Sequence, residues 1–171
     1  SNTLVISGAL SPTGYWAGSG GKSANGWDDD VYYQGMGAAG AGKYADCIGV
    51  HYNDGIVPPN QDSGDPVRNG DDATYHFTPM LNRALGNFSG KMGCFTELGY
   101  LTPEGYSPLP SGFSWAQNTT VAEQAQWLAQ AAVLSAQSGR VRLMIVFNVD
   151  FTYYGTDPQA GYAMIRPGGT C

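Results

Sequence analysis

The chain has 171 residues, enough for one hydrophobic core, and its formal net charge is −6. That charge argues against nucleic acid or an anionic membrane surface as a partner, because both select basic patches. Charged residues make up 13% of the chain, about half the usual share, whereas it has 25 glycines, 11 tyrosines and 4 tryptophans. This composition favours a secreted or extracellular protein with a neutral, polar partner such as a carbohydrate. Any export signal is expected to have been removed or to lie outside this sequence.

Four apolar runs predict β-strands, at residues 3–10, 46–51, 91–97 and 142–147. Three segments between them predict helices, at residues 28–39, 75–85 and 120–138. The last helix has the clearest bounds, because Thr120 and Glu123 form a capping box and Gly139 follows the final turn. The strands are apolar throughout, which is typical of strands buried on both faces of a parallel sheet.

This alternation predicts a single α/β domain over residues 1–171, with four β/α units around a parallel sheet. The loops that follow the strands are long and rich in aromatic residues, whereas the loops before them are short. The working surface is therefore expected at the carboxyl ends of the strands. No glycine-rich phosphate-binding motif lies at a strand-to-helix turn, and no cluster of metal ligands is evident, so neither a cofactor nor a metal is predicted.

Glu97 dominates the functional interpretation. It closes an apolar run, where a carboxylate is costly unless it is paired or hydrogen-bonded, and this favours a functional role. The alternative is a structural carboxylate that caps the backbone amides of the next turn. His51 and Tyr52 end the preceding predicted strand. Each is interpreted either as a residue that positions Glu97 or as a packing residue.

Further candidates for substrate binding lie in the loops. Asn148, Asp150 and Tyr153 follow the last predicted strand, and Trp16 and Trp115 lie in two of the long loops. Flat aromatic faces complement the apolar faces of sugar rings. The alternative for each ring is that it anchors its own loop.

The three cysteines are widely spaced and odd in number. This pattern argues against a zinc ribbon and against a disulfide framework. Cys47 and Cys94 fall inside predicted strands, so we expect both to be buried free thiols. Cys171 is the last residue of the sequence, and its partner, if it has one beyond this end, is left open.

Three motifs stand in order at the ends of successive predicted strands: His51-Tyr52, Thr96-Glu97-Leu98-Gly99 and Phe147-Asn148. Their order resembles the C-terminal half, strands five to eight, of clan A glycoside hydrolases, the (β/α)8 barrels of cellulase and xylosidase type. The resemblance covers nearly the whole chain and implies half of a TIM-type barrel. It also implies that Glu97 is the nucleophile, with His51 and Tyr52 beside it. At strand eight the chain departs from the family, because Phe147 or Phe151 stands in place of the usual Trp.

A larger departure concerns the second catalytic carboxyl. Retaining glycosidases use two carboxyl groups about 5–5.5 Å apart, and the family takes its acid/base from an Asn-Glu pair that this sequence lacks. Within the chain, Asp150 is the best substitute. The missing barrel half is expected from a second copy, in a homodimer, or from a preceding segment. The alternative is that the chain folds as an open four-stranded α/β sheet.

The leading hypothesis is therefore a retaining glycoside hydrolase-like domain that acts on a polysaccharide or oligosaccharide. Its nucleophile would lie in this chain and its acid/base outside it, which leaves open whether the isolated chain is active. The alternative is a non-catalytic carbohydrate-binding or assembly module derived from such a barrel. Both hypotheses predict a carbohydrate partner.

Overall fold

A computed structural model describes residues 3–169 of the chain. These residues contain one parallel sheet of three strands, β1 (Cys47–Tyr52), β2 (Met92–Leu98) and β3 (Val141–Val146). The order across the sheet is β1-β2-β3, the same as the order along the chain. The expectation of an α/β fold with a parallel sheet is confirmed. Because the strands are parallel, the loops that follow them all start at the same edge of the sheet.

The described residues also form three α-helices, α1 (Asp29–Ala38), α2 (Phe77–Leu85) and α3 (Val121–Ser138). The predicted capping box at the start of α3 is confirmed: the Glu123 backbone N–H donates to the Thr120 hydroxyl, and the Thr120 N–H donates to the Glu123 carboxylate. Gly139 ends α3 with a φ of 63°, a left-handed conformation that favours glycine.

No helix within residues 3–169 is long and apolar enough to cross a membrane. Short 3-10 helices lie at Ala41–Lys43, Ala73–Tyr75, Ser111–Ala116 and Gln159–Tyr162.

The helices and the sheet share one hydrophobic core. On α2 the apolar residues recur at helical spacing, and the side chains of Met80 and Leu81 pack with Val50 of β1, Phe95 of β2 and Trp127 of α3. Residues of β1 and β2 are mostly buried, as predicted. Those of β3 are intermediate or exposed, so the prediction of strands buried on both faces was wrong for β3.

The run at 3–10 is a correction to the sequence prediction, because it does not form a regular strand. It touches β1 through two isolated parallel bridges, from Ile6 to Cys47 and from Leu10 to Val50. Between them the Ser7 hydroxyl accepts the Gly49 backbone N–H at 2.9 Å. A side-chain oxygen thus replaces the backbone carbonyl that a continuous ladder requires, and the four predicted strands become three.

The cysteine prediction was wrong. Cys47 of β1 and Cys94 of β2 are joined by a disulfide, with their Cα atoms 5.8 Å apart. Both are fully buried, as predicted, but neither is a free thiol. They lie on neighbouring parallel strands, at a Cα separation within the range that a disulfide requires. The expectation for Cys171 falls outside the described residues.

Candidate functional site

His51 and Glu97 meet at the carboxyl end of the sheet. The pairing register shifts between Val50 and His51, so that Val50 pairs with Phe95 but His51 pairs with Glu97. The imidazole Nδ1 lies 3.6 Å from the Glu97 Oε2 atom. The side chains are 22% and 34% exposed, respectively, so both are sheltered and both remain accessible from solvent.

The pKa of His51 lies below the ordinary histidine value. Partial burial lowers it, because the charged imidazolium loses hydration, and the neighbouring Glu97 carboxylate raises it by a smaller amount. The imidazole is therefore neutral at physiological pH. Since the 3.6 Å separation is longer than a hydrogen bond, His51 acts on Glu97 chiefly as a polar neighbour.

Asn53 is the direct hydrogen-bond partner of Glu97. Its amide Nδ2 donates to Glu97 Oε2 at 3.0 Å, and its backbone carbonyl accepts a hydrogen bond from the Tyr162 hydroxyl, also at 3.0 Å. Tyr162 belongs to the buried 3-10 helix near the end of the chain. The loop after β3 thus fixes the backbone that presents Asn53 to the carboxylate. Sequence reasoning missed Asn53, although its position directly after the His51-Tyr52 motif was a usable signal.

Tyr52 does not lie beside Glu97. Its ring is completely buried and makes edge-on contacts with the rings of Phe77 and Tyr100. Its hydroxyl donates to the Tyr75 carbonyl at 3.2 Å. Neighbouring residues of a strand point to opposite faces, so when His51 faces the site Tyr52 must face the core. The prediction that Tyr52 positions Glu97 is therefore replaced by a packing role.

Asn148, Asp150 and Tyr153 follow β3 as predicted, but they are not gathered around Glu97 by any contact between side chains of the described residues. Asn148 stabilises its own loop, because its amide donates to the Gln159 carbonyl and its Oδ1 accepts the Phe151 N–H. Asp150 and Tyr153 are exposed. Only Asp150 and Tyr153 are thus available to a ligand without rearrangement of this loop.

The two candidate tryptophans lie in different environments. Trp16 lines a cleft of about 570 Å³, in which Tyr15 and Asp54 are among the other lining residues. The Trp115 ring instead stacks on the Arg68 guanidinium, whose central carbon lies 4.6 Å from the ring centroid. Trp115 thus joins its loop to Arg68 and also lines a cleft of about 270 Å³, whereas Trp16 is placed in the cleft of about 570 Å³.

The arrangement supplies one accessible carboxylate held by an amide donor and flanked by a neutral imidazole. Such a carboxylate can act as a nucleophile or as a base. Among residues 3–169, no group of three or more His, Cys, Asp or Glu side chains is arranged to hold a metal ion. Comparisons with protein-family models, with curated proteins and with solved structures found no match to this chain.

Proposed function

We propose that this chain is a retaining glycoside hydrolase-like domain, that Glu97 is its nucleophile and that a polysaccharide or oligosaccharide is its substrate. One observation carries the proposal: Glu97 stands at the carboxyl end of a parallel strand, partly exposed, with its Oε2 atom held by the Asn53 amide. This is the edge of an α/β sheet where reacting groups are usually found. The order of the three motifs in the sequence and the aromatic loops support the choice of a sugar substrate.

Under this proposal each residue has a defined task. A carboxylate oxygen of Glu97 attacks the anomeric carbon, and the bond from that carbon to the leaving oxygen breaks. Asn53 holds the carboxylate in place through its 3.0 Å hydrogen bond, and the neutral imidazole of His51 offers a polar contact to the carboxylate or to a sugar hydroxyl. A second carboxylic acid protonates the leaving group, and water later releases the sugar.

The second carboxylic acid is proposed to come from outside this chain, because the sequence lacks the Asn-Glu pair of the family that it resembles. A preceding segment would supply that acid and complete a barrel of which this domain is half. In a homodimer the second copy lacks the same pair, so its acid would be a different carboxyl group, such as Asp150. The sequential order of the three parallel strands is compatible with that arrangement. We also propose that the protein is secreted, because disulfides such as the one between Cys47 and Cys94 persist in oxidising compartments.

The experiment separates the nucleophile from the missing acid. A 2,4-dinitrophenyl 2-deoxy-2-fluoro-β-glycoside carries a leaving group that departs without protonation, so it tests Glu97 even when no acid is present. We expect a covalent adduct by mass spectrometry, mapped to the peptide that contains Glu97. Glu97→Gln should abolish the adduct, and Glu104→Gln, the matched control, should retain it. An adduct that persists in Glu97→Gln, or no adduct with gluco-, xylo- and manno-configured probes, would overturn the proposal.

A second candidate is a non-catalytic carbohydrate-binding or assembly module. The observation that favours it is the absence of the Asn-Glu pair, since a barrel half without an acid/base can still bind sugars. Light scattering separates the cases when it is combined with turnover of unactivated aryl β-glycosides. A dimer whose turnover depends on Glu97 supports the enzyme, whereas a folded monomer that binds glycans and turns over none supports the module.

A further inference from the structure

We propose that the cleft lined by Tyr15, Trp16 and Asp54 is a glycan subsite that accepts neutral or amino sugars and rejects acidic sugars. The proposal rests on the proposed function, because it treats this cleft as the continuation of the Glu97 site. The link between the two is one step along the chain: Asp54 of the cleft lining follows directly on Asn53, whose amide is bonded to Glu97. The cleft volume of about 570 Å³ lies within the range of about 300–1,000 Å³ typical of small-molecule sites.

The cleft lining includes two aromatic rings that are open to solvent. Tyr15 is 75% exposed and Trp16 is 59% exposed. Tyr44 is as open as these rings, so exposure alone does not mark a site; what distinguishes Tyr15 and Trp16 is that both line the same cleft. A cleft lined by two aromatic rings and by polar side chains matches a pyranose, which has an apolar face and a rim of hydroxyl groups.

The loop that carries these rings is fixed in place. The Gly14 backbone N–H donates to the Asp29 carboxylate at 3.1 Å, and the Ala17 N–H donates to the Asp28 carboxylate at 2.6 Å. Arg83 binds the Gly14 carbonyl at 3.2 Å and also makes two hydrogen bonds to Asp29 at 2.8 Å. Both aspartates are buried. Because the backbone is fixed on both sides of Tyr15 and Trp16, this loop loses little conformational entropy when a ligand binds, and this favours affinity.

Asp54 lines the cleft as an unsatisfied acceptor. It is partly buried, and its carboxylate accepts no hydrogen bond from the described part of the chain. Burial raises its pKa to about 6, against the opposing effect of the Arg68 charge. A half-buried carboxylate to which no protein group donates keeps its acceptor capacity for solvent or for a ligand. Sugar hydroxyl groups or the ammonium group of an amino sugar would supply the missing donors.

The charges around the cleft set its selectivity. Its described lining includes three carboxylates, from Asp54, Asp71 and Asp72, and no cationic side chain. The nearby guanidinium groups are already paired, Arg68 with Asp65 at 2.6 Å and Arg83 with Asp29 at 2.8 Å. A carboxylated sugar would therefore be repelled without compensation, whereas a neutral sugar is tolerated and an amino sugar is attracted.

The test uses three hexasaccharides with the same β-1,4 backbone. Cellohexaose is neutral, the glucosamine hexamer is cationic, and the cellouronic acid hexamer carries a carboxylate at every C6. Binding is measured by calorimetry in the Glu97→Gln background, so that cleavage cannot interfere. We expect the glucosamine hexamer to bind more tightly than cellohexaose and the cellouronic hexamer not to bind. Asp54→Asn should reduce the preference for the glucosamine hexamer.

Tyr15→Ala and Trp16→Ala should each weaken binding of cellohexaose by about five- to tenfold, as the loss of one ring contact implies. The matched control is Tyr44→Ala, since Tyr44 is 80% exposed and lies before β1, outside the cleft. The subsite proposal is overturned if no hexamer binds, if the acidic hexamer binds as well as the neutral one, or if Tyr44→Ala weakens binding as much as Tyr15→Ala. Binding that depends on Trp16 together with absence of the Glu97 adduct would reject the nucleophile and keep the subsite.

Discussion

His51 and Glu97 lie opposite each other on β1 and β2, and a register shift between Val50 and His51 is what aligns them. Val50 pairs with Phe95, so in a regular ladder the next residues, His51 and Thr96, would pair with each other. The irregularity therefore decides which side chain of β2 faces the imidazole. Irregularities of this kind are frequent next to active sites, where they redirect a side chain.

The proximity of Glu97 predicts a change in the pKa of His51. Burial lowers this pKa and the Glu97 charge partly offsets the effect, so Glu97→Gln should lower it further. An NMR titration of the imidazole carbon-bound protons measures this, since the chain has only two histidines. Asp62→Asn is the control and should leave the His51 resonance unchanged. An unchanged or raised His51 pKa in Glu97→Gln would contradict the contact.

The same lowered pKa gives His51 a defined effect on stability. The folded state binds the imidazole proton less tightly than the unfolded state does, so acid favours unfolding through this group. The contribution of His51 to the free energy of unfolding should therefore decline as the pH falls below about 6.5. His51→Gln should show a weaker pH dependence than the parent chain in urea unfolding between pH 7 and pH 5.

The disulfide between Cys47 and Cys94 should stabilise the fold by about 2–4 kcal/mol, because it closes a long loop in the unfolded chain. Urea unfolding of a Cys47→Ala/Cys94→Ala variant measures the loss without leaving a lone thiol. Counting thiol labels on the denatured parent chain checks the bond itself. Reduction should expose two additional thiols, and an equal count before and after reduction would refute the disulfide.

Asp29 should be among the residues most sensitive to substitution. It is buried and receives two hydrogen bonds from Arg83 as well as bonds from the loop at Gly14. Asp29→Ala removes both hydrogen bonds of the largely buried Arg83 guanidinium to a carboxylate and leaves only the partly exposed Asp30 near it, so it should cost about 3–5 kcal/mol of unfolding free energy. Asp30 is the matched control, because it lies 3.4 Å from the same guanidinium but is 38% exposed. Asp30→Ala should cost less than about 1 kcal/mol, and equal losses would contradict the assignment.

Asp54 should destabilise the unliganded fold at neutral pH. Its pKa is raised to about 6 by burial, so between pH 4 and pH 6 the folded state binds the proton more tightly than the unfolded state. Stability from this group is present below about pH 4 and is lost as the pH rises through 6. Asp54→Asn should therefore stabilise the chain by about 2–3 kcal/mol at pH 7.5 and have little effect at pH 3.5. Equal effects at both pH values in urea unfolding would contradict this account.

Local chemistry in the sequence determined the helices and the parallel strands. Thr120, Glu123 and Gly139 define the ends of α3 through bonds and dihedral angles that involve only nearby residues. The apolar runs that became β1, β2 and β3 were recognisable because their residues must be buried. Glu97 was also evident from the sequence, since a carboxylate at the end of such a run is exceptional.

Only the tertiary structure decided which distant residues meet. The Cys47–Cys94 disulfide required β1 and β2 to be neighbours, and the loss of the strand at 3–10 depended on a hydroxyl of Ser7 that reaches across to Gly49. The position of His51 opposite Glu97, and the placement of Asn53 against the same carboxylate, follow from pairing across the sheet. Such contacts join residues more than 40 positions apart along the chain, and no local pattern in the sequence encodes them.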